Sequence, residues 1–355
     1  MKLFDFYIGS SFFKCFFLII LILAVLFSFF ELLSQLDDVG RGSYRLNNAV
    51  IFVILTLPKR LLDLMPISTL LAGIIALGLL ADHNELLALQ AAGISVPRIC
   101  AAVLATGMLL ILTFGIMAEM IMPNMEQQAR KARAQALSGT GVTLTRQGFW
   151  ARRGNSYIHV DKMLSDGIAA DIDIFEFDTQ GRLKIFAHAH SAKIQNNKQW
   201  SLNEITQKVI TDQGITTKNM ATWTLGSFLS ADQVSLLELP PYSLSTPDLV
   251  RYILSLRESG QNTDQYSLSL WRKLSIPLTT GAMILLSLSF VFGSTRSISA
   301  GRRITIGIFI GVALYFADQL IMHLGLLLNL TPFITAMIPV ILISGIAFWR
   351  LRGVV

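Results

Sequence analysis

Residue patterns that support covalent catalysis or nucleotide binding are absent from this sequence of 355 residues. No glycine is followed by lysine, as a Walker A phosphate loop requires, and neither His-Glu-x-x-His nor Gly-x-Ser-x-Gly occurs. His188 and His190 lie two residues apart on a predicted strand and could face the same side, but no third metal ligand is near them. The sequence predicts no enzyme, no bound metal and no cofactor, so any transport would draw energy from a partner or an ion gradient.

Residues 82–98, Asp-His-Asn-Glu-Leu-Leu-Ala-Leu-Gln-Ala-Ala-Gly-Ile-Ser-Val-Pro-Arg, carry clear helix signals. Asp82 or Asn84 could cap a helix, and Gly93 before an isoleucine suits a left-handed stop with its hydrophobic contact. The proline four residues later fits the first turn of the next helix. The pattern predicts a short helix within about 82–93.

This short helix has an apolar face and carries no basic residue before Arg98. Leu86, Leu89 and Gln90 share that face, with Glu85 at its edge. Helices that lie in a lipid interface usually present Lys or Arg to the headgroups, so this acidic and apolar helix is better suited to dock into a groove on a partner protein. A helix that merely lies at the lipid interface is the alternative.

The composition indicates that these residues belong to a membrane protein. Hydrophobic residues make up 53% of the chain and charged residues 15%, against about 25% charged residues in soluble domains. Mean hydropathy is +0.57, and 29 basic against 23 acidic residues give a net charge of +6. A disordered or nucleic-acid-binding chain would be polar and strongly charged, so both classes are excluded.

Six apolar segments are long enough to cross a hydrocarbon core of about 30 Å, which takes roughly 20 helical residues. The second segment is predicted to be long and bent, because charged residues and a proline interrupt it. The predicted spans are Phe12–Leu33, Ala49–Ala81, Ile99–Met122, the 22 uncharged residues between Lys273 and Arg296, Ile304–Leu328 and Pro332–Trp349.

The block between the third and fourth spans differs from them, because it holds 15 basic and 14 acidic residues. Alternation at period two predicts strands at Ser156–Val160, Asp171–Asp178 and Leu183–Ile194. Short strands separated by turn residues favour a β-sandwich or partly open jelly roll. The predicted fold class is an α-helical membrane protein with six transmembrane helices and an inserted β-jelly-roll domain, divided into residues 1–122, 123–270 and 271–355.

Basic residues in short loops set the predicted orientation. Arg296, Arg302 and Arg303 lie in a loop without acidic residues, and Arg350 and Arg352 follow the last span. Cytoplasmic placement of both regions puts the N- and C-termini and the short helix inside and the β-domain outside.

Asp318 is the deepest acidic residue in a predicted span, about 14 residues or roughly 21 Å from the start of the fifth helix. Ionisable residues at such depth are costly and face protein or water. With Gln319 beside it, Asp318 could contact a cavity or a subunit interface, or could bond structurally to a neighbouring helix. Glu119 in the third span is open to the same two interpretations.

Eight short motifs extend over essentially the whole chain: Tyr7-Ile8-Gly9, Gly40-Arg-Gly-Ser-Tyr44, Glu85-Leu-Leu-Ala-Leu-Gln-Ala-Ala-Gly93, Pro123-x-x-Glu126-Gln-x-Ala-Arg130-x-x-Arg133-Ala-Gln135, Gln147-Gly-x-Trp150-Ala, Ser259-Gly-Gln261, Leu288-Ser-Phe-x-Phe-Gly293-x-x-Arg296-Ser and Asp318-Gln319. In this order, with six spans and a β-domain between the third and fourth, the sequence resembles the lipopolysaccharide export permease family LptF/LptG, also called YjgP/YjgQ. It looks more like the LptG branch.

The resemblance implies one permease subunit of an ABC transporter in the bacterial inner membrane, with a periplasmic β-domain. The implied partners are an LptF-like sibling in a heterodimer, two copies of a cytoplasmic ABC ATPase that bind ATP and Mg²⁺, a single-span LptC-like protein and a periplasmic bridge protein. Lipopolysaccharide would pass from a membrane cavity to the β-domains. The resemblance assigns ATPase coupling to the short helix, with Glu85, Leu86, Leu89, Gln90 and Gly93. The loop with Arg296, Arg302 and Arg303 could be a second ATPase-facing patch or only a topology signal.

The family's substrate-binding positions correspond here to Lys59, Arg130 and Arg133, with Arg41 as a further candidate. Such cations could contact phosphates and acidic sugars, or could simply snorkel at the interface. The chain departs from the family pattern at Glu31, Asp37 and Asp38, where some LptG proteins carry lysines. An acidic rim there would repel phosphates unless divalent cations bridge them.

The apolar residues of the β-domain could fill a closed core or line a groove for acyl chains, namely Trp150, Ile158, Ile172, Ile174, Phe175, Phe177, Leu183, Ile185 and Trp200. Two other functions stay open. An ion-coupled secondary lipid transporter needs acidic residues near mid-membrane, for which Asp318 and Glu119 give slight support, and related halves, of which the sequence shows no sign. A non-transporting, membrane-anchored periplasmic scaffold needs neither a coupling helix nor polar cavity residues.

Overall fold

The structure of the chain is a computed structural model. It describes residues 2–138, 149–153, 155–164, 168–178, 180–195, 199–211, 214–226, 241–258, 262–292 and 300–352.

Six helices in these ranges are long and apolar enough to cross a membrane, which confirms the predicted spans. They are α1 (Lys2–Leu36), α2 (Leu46–Asp82), α4 (Val96–Met120), α7 (Asp264–Phe292), α8 (Ala300–Leu327) and α9 (Pro332–Leu351). The described residues also form three further α-helices, α3 (Glu85–Ala91), α5 (Met122–Ser138) and α6 (Thr246–Glu258).

Two helices differ from their predicted bounds for physical reasons. Helix α2 continues through Pro58 and Pro66 over 37 residues, as the prediction of one long second element requires. Helix α7 begins at Asp264, well before Lys273, which is the predicted edge of the fourth span. The charged Arg272 is accommodated inside the helix because it lies 3.7 Å from the Asp318 carboxylate of α8.

One compact unit comprises Met1–Ser34, Val53–Glu126 and Asp264–Val355. Helices α2 and α7 are mostly buried in this unit, whereas α1 and α8 expose most of their apolar side chains. The core joins α1, α2, α4 and α7 through fully or largely buried side chains such as Phe12, Phe16, Leu64, Ile99, Val103, Ile284 and Leu288.

The second unit comprises Gln35–Phe52 and Gln127–Thr263 and contains a six-stranded antiparallel sheet. Each strand pairs with the next along the chain: β1 (Phe149–Arg153), β2 (Ser156–Leu164), β3 (Ile168–Phe177), β4 (Leu183–Gln195), β5 (Gln199–Thr211) and β6 (Gly214–Gly226). The three predicted strands are therefore confirmed, as is the β-domain inserted between the third and fourth spans.

The predicted apolar residues of this sheet divide into two groups. Ile158, Ile172, Ile174 and Trp200 are buried in one core with Val160, Leu202 and Ile205. Phe175, Phe177, Leu183 and Ile185 are only half-buried. The Phe175 ring instead contacts the ring of Phe186 on β4, with centroids 5.2 Å apart. The side chain of Trp150 lies outside the described residues.

Candidate functional site

A cavity of about 330 Å³ lies in the helical unit among α1, α2 and α8 and contains the predicted site residue Lys59. Aromatic and polar side chains share its wall: Phe27, Phe30, Glu31, Ser34, Lys59, Arg60, Asp63, Leu64 and Tyr315. The cavity therefore combines apolar surface with two basic and two acidic groups, a composition suited to a ligand with an apolar body and a charged head.

Arg60, which the sequence did not single out, is held in this cavity by side chains of both α1 and α2. Its guanidinium donates hydrogen bonds to Thr56 Oγ1 at 2.8 Å and to Ser28 Oγ at 3.2 Å. It also lies 3.5 Å from the Glu31 carboxylate, and its side chain is 13% exposed. These contacts join α1 to α2 beside Lys59.

Asp63 is the second charged residue of the cavity that the sequence did not single out. It lies four residues after Lys59 on the same helix, and that spacing places two side chains on one face. The periodicity could therefore have identified Asp63. No such signal identifies Arg60, because adjacent residues point in different directions around a helix.

In the unit that contains the β-sheet, two predicted substrate-binding arginines contact the same carboxylate. We call this group the loop cluster, and it consists of Asp38, Arg41, Phe52 and Arg133. Arg41 and Arg133 each donate a hydrogen bond to a different oxygen of Asp38. The Arg133 guanidinium also lies 5.6 Å from the centre of the Phe52 ring. Asp38, which was predicted to repel phosphates, thus binds Arg41 and Arg133, two of the residues predicted to contact phosphates.

The backbone of the Gly40–Tyr44 motif explains how Asp38 reaches Arg133. Gly42 has φ +58, and a Cβ there would lie 2.5 Å from the Leu137 carbonyl, so only glycine fits against the end of α5. Ser43 then donates from its N–H and its hydroxyl to the Ala136 carbonyl, at 2.8 and 3.0 Å.

Arg130 lies apart from the loop cluster and contacts a different residue. It donates a hydrogen bond to the Tyr242 hydroxyl, and its guanidinium is 5.0 Å from the centre of that ring. The structure therefore does not join Arg130 and Arg133 in one contact, although they lie one turn apart on α5.

The predicted short helix is α3, which begins at Glu85. The predicted side-chain cap is wrong: Asn84 occupies the N-cap with φ 61 and makes no capping hydrogen bond, and Asp82 is still part of α2. The predicted stop at Gly93 is confirmed. Gly93 has φ +86, its N–H donates to Gln90 O at 3.0 Å, and the next N–H donates to Leu89 O at 3.0 Å.

Helix α3 presents a different face from the one that the sequence assigned to a partner. Leu86 is 5% exposed within the core of the bundle, and Leu89 packs against that core. The exposed leucine of this helix is Leu87, at 51%. Glu85 and Gln90 are half-buried.

Two polar contacts join the start of α1 to the region around α3. The Tyr7 hydroxyl donates a hydrogen bond to Glu85 Oε2 at 2.8 Å. Arg98, in the first turn of α4, donates to both carboxylate oxygens of Asp5, at 2.8 and 3.3 Å. Sequence analysis missed this arrangement, although Tyr7 and Glu85 both lie in motifs that it identified.

The intramembrane polar residues Asp318 and Gln319 lie on α8. Asp318 forms the ion pair with Arg272 described above, which supports a structural bond to the neighbouring helix. The backbone carbonyl of Gln319 lies 2.8 Å from His323 Nδ1. Glu119 is half-buried on α4.

The two histidines of the predicted strand do not form a metal site with their neighbours. His188 Nδ1 lies 2.7 Å from Asp173 Oδ1, and His190 Nδ1 lies 3.8 Å from Asp171 Oδ1. Within the described residues, no group of three or more His, Cys, Asp or Glu side chains could hold a metal ion.

The basic residues used to predict orientation are partly described. Arg302 and Arg352 are exposed, and the Arg350 guanidinium lies 4.5 Å from the centre of the Phe290 ring. Arg296 and the side chain of Arg303 lie outside the described residues.

Comparison with known proteins agrees with the motifs. The family described as lipopolysaccharide export system permease LptF/LptG matches residues 6–353. The lipopolysaccharide export system permease protein LptG of Haemophilus influenzae is 35% identical over 348 residues, covering 98% of this chain and 97% of that protein. The LptG protein of Escherichia coli K12 is 32% identical over 349 residues, with the same coverage.

Proposed function

Because the chain belongs to the lipopolysaccharide export permease family LptF/LptG, we propose that it is the permease subunit of an ABC transporter for lipopolysaccharide. Its six apolar helices and its family make it a multi-pass protein of the inner membrane. In this role it extracts lipopolysaccharide from that membrane and passes it toward the outer membrane. A separate subunit hydrolyses the ATP, and this chain is not an enzyme.

The cavity around Lys59 is the observation that carries this proposal. Charged groups inside a helical membrane bundle are costly and face protein or water-filled space. Here Lys59 and Arg60 line an open space beside Phe27 and Phe30. Cations next to aromatic surface match a phosphorylated lipid, whose headgroup needs charge and whose chains need apolar contact.

Helix α3 is the element that we assign to ATPase coupling. It connects two spans and is fixed to a third by the hydrogen bond from Tyr7 to Glu85. Its exposed side, with Leu87, is available to a partner, whereas Leu86 and Leu89 pack against the core of the bundle. Displacement of α3 by the ATPase would therefore also displace the spans that are packed against it.

The proposed assembly has the N- and C-termini and α3 in the cytoplasm and the β-domain in the periplasm. The exposed arginines Arg302 and Arg352 support this orientation. The partners are an LptF-like sibling permease, two copies of an ABC ATPase that carries the ATP and Mg²⁺, a single-span LptC-like protein and a periplasmic bridge protein. Arg41, Arg130 and Arg133 are proposed to meet lipopolysaccharide outside the membrane core.

The two alternative functions have less support. An ion-coupled transporter needs an acidic residue free to exchange an ion, but Asp318 is in contact with Arg272. A periplasmic scaffold would not require charged side chains in a cavity among its spans, as found here.

Purification of the chain from native membranes with its natural partners tests the proposal. We expect an ABC ATPase and a second permease of similar architecture to co-purify, and lipopolysaccharide to be released only with ATP. Association of neither protein would contradict the proposal.

Photo-crosslinking tests contact with the lipid. A photoreactive residue in place of Arg133 should give lipopolysaccharide adducts. A matched probe in place of Arg251, whose side chain is 81% exposed on α6, should not. Equal labelling at both positions, or labelling at neither, would contradict the assignment of Arg133.

A further inference from the structure

The Arg133 side chain of the loop cluster carries a donor that no acceptor meets among the residues that the structure describes. Its Nη2 donates a hydrogen bond to Asp38, and its guanidinium lies against the Phe52 ring, but its Nε is buried without a hydrogen-bond partner. A buried N–H group without an acceptor is unfavourable, because it has lost its hydrogen bond to water. A ligand that brings a further oxygen atom would remove this cost.

The contact between Arg98 and Asp5 shows how one anion can fill the edge of a guanidinium that Nε and Nη2 form. These two nitrogens of Arg98 donate to the two oxygens of the Asp5 carboxylate, at 3.3 and 2.8 Å. Arg133 uses only Nη2 in this way, because the other oxygen of Asp38 accepts a hydrogen bond from Arg41 at 2.9 Å. Asp38 thus gives one oxygen to each arginine and leaves the Nε of Arg133 unmet.

A phosphate monoester would satisfy the loop cluster more completely than the Asp38 carboxylate does. It has three free oxygens, so one could accept from Arg41 and the other two from Nη2 and Nε of Arg133, in the paired geometry that arginine forms with phosphate. The cluster also contains two arginines and one aspartate, a formal charge of +1 that favours an anion. Its donors therefore suit a group with more oxygens than a carboxylate has.

The Asp38 side chain can leave the two arginines without unfolding of its loop. Its backbone is held in the turn after α1, where its N–H donates to Gln35 O at 3.2 Å and its carbonyl accepts from the Arg41 N–H at 3.1 Å. The adjacent residues Asp37 and Val39 are exposed, so solvent borders this turn. Rotation of the side chain alone would therefore exchange the Asp38 carboxylate for a ligand.

We propose that Asp38 is an internal substitute for a phosphate, which holds Arg41 and Arg133 in position until a phosphate monoester of the transported lipid displaces it. The phosphate then accepts hydrogen bonds from Arg41 and from both Nε and Nη2 of Arg133, and Asp38 turns to solvent. A lipid without such a phosphate does not displace Asp38, so this residue contributes to specificity. The inference rests on the proposed function, from which the phosphorylated lipid is taken.

Lipid binding to the complex purified with its natural partners tests the inference. The probes are lipopolysaccharide with phosphate monoesters and the same lipid after enzymatic removal of its phosphates, each measured in phosphatidylcholine nanodiscs with EDTA. Asp38→Asn should bind the phosphorylated lipid about fivefold more tightly than the unaltered protein does, because the lipid no longer has to displace a partly exposed ion pair. Binding of the dephosphorylated lipid should not change.

Two further variants make the test specific. Asp37→Asn is the matched control, because it removes the same charge from an exposed neighbour outside the loop cluster, and it should change the affinity by less than about twofold. Arg133→Lys keeps the positive charge but lacks the pair of parallel N–H groups. It should weaken binding of the phosphorylated lipid about tenfold.

Each contrary result has a defined meaning. Unchanged or weaker binding of the phosphorylated lipid by Asp38→Asn, or loss of its assembly with the partners, would show that Asp38 is only a structural tie and would overturn the inference. An equal gain in Asp37→Asn, an equal gain for the dephosphorylated lipid, or normal binding by Arg133→Lys would overturn it as well. These results leave the proposed function intact, whereas binding of neither lipid by the unaltered complex would contradict the proposed function too.

Discussion

The two ends of α1 take part in sites of opposite character. At its start, Asp5 accepts hydrogen bonds from Arg98 of α4, and Tyr7 donates a hydrogen bond to Glu85 of α3. Near its other end, Glu31 lies beside an open cavity and makes a longer, half-buried contact with Arg60. The residues Tyr7 and Glu31 are about 36 Å apart along a continuous helix. Both ends of α1 are therefore held by polar contacts, but only the end with Glu31 also borders a cavity.

Under the proposed function, this asymmetry gives α1 a role in coupling. A helix is stiff along its axis, so movement of α3 that is passed to Tyr7 would also move the wall of the cavity. The following predictions change one end at a time.

The largest expected effect is at the cavity end. Arg60→Ala should lower the free energy of unfolding by about 3 kcal/mol, because it removes the half-buried ion pair between Arg60 and Glu31. Unfolding in mixed detergent, followed by circular dichroism, measures the change. The double variant Arg60→Ala with Glu31→Gln should recover most of the loss. No recovery would mean that Arg60 acts through its bonds to Thr56 and Ser28 instead.

A smaller effect is expected from the ion pair at the start of α1. Asp5→Arg places two cations together where the side chains of Arg98 and Asp5 are 46% and 34% exposed. We expect a destabilisation of about 1 kcal/mol, because solvent screens the pair. The exchange Asp5→Arg with Arg98→Asp should restore stability and ATP-dependent release. Normal ATP-dependent release by both single variants, Asp5→Arg and Arg98→Asp, would show that this ion pair has no role in coupling.

Tyr7→Phe should have a weaker effect still on stability, because it deletes one exposed hydrogen bond and keeps the ring. ATP-dependent lipopolysaccharide release should fall about threefold to tenfold, since Glu85 would lose its link to α1. ATPase binding should be unchanged, as measured by co-purification. Phe6→Leu, which changes an exposed neighbour, is the matched control.

The smallest effect is expected far from either end of α1, in the turn between β3 and β4. Hydrogen bonds from the backbone N–H groups of Arg182 and Gln180 lower the pKa of the Asp178 carboxyl below its usual value. A lowered pKa stabilises the folded state above the unfolded pKa, and this contribution is lost as the pH falls through the folded pKa. Asp178→Asn should reduce the pH dependence of β-domain unfolding between about pH 5 and 3 without altering release.

The sequence predicted the spans and strands because each depends on local patterns. Apolar runs of sufficient length and period-two alternation are readable without knowledge of the neighbours, and so is the Gly93 stop, which depends on φ at one residue. The contacts of the candidate sites were not predictable in this way. Tyr7 and Glu85 are 78 positions apart, and Asp38 and Arg133 are 95 apart.

The sequence also could not predict what the apolar face of α3 contacts. Periodicity correctly grouped Leu86 and Leu89 on one side of α3, but did not distinguish a partner's groove from the protein's own core. The same limit applies to the acidic rim. Asp38 looked repulsive in the sequence, yet in the structure it holds Arg41 and Arg133.

ATP-dependent release of lipopolysaccharide from proteoliposomes that contain the complete complex tests the central claim most directly. Glu85→Lys reverses the charge on α3 and removes the acceptor for Tyr7, while Glu204→Lys on β5 reverses an exposed charge in the other unit as its control. The account predicts that Glu85→Lys reduces release to the level without ATP, and that Glu204→Lys releases lipid at the normal rate. Normal release by Glu85→Lys, or release from the unaltered complex without ATP, would contradict it.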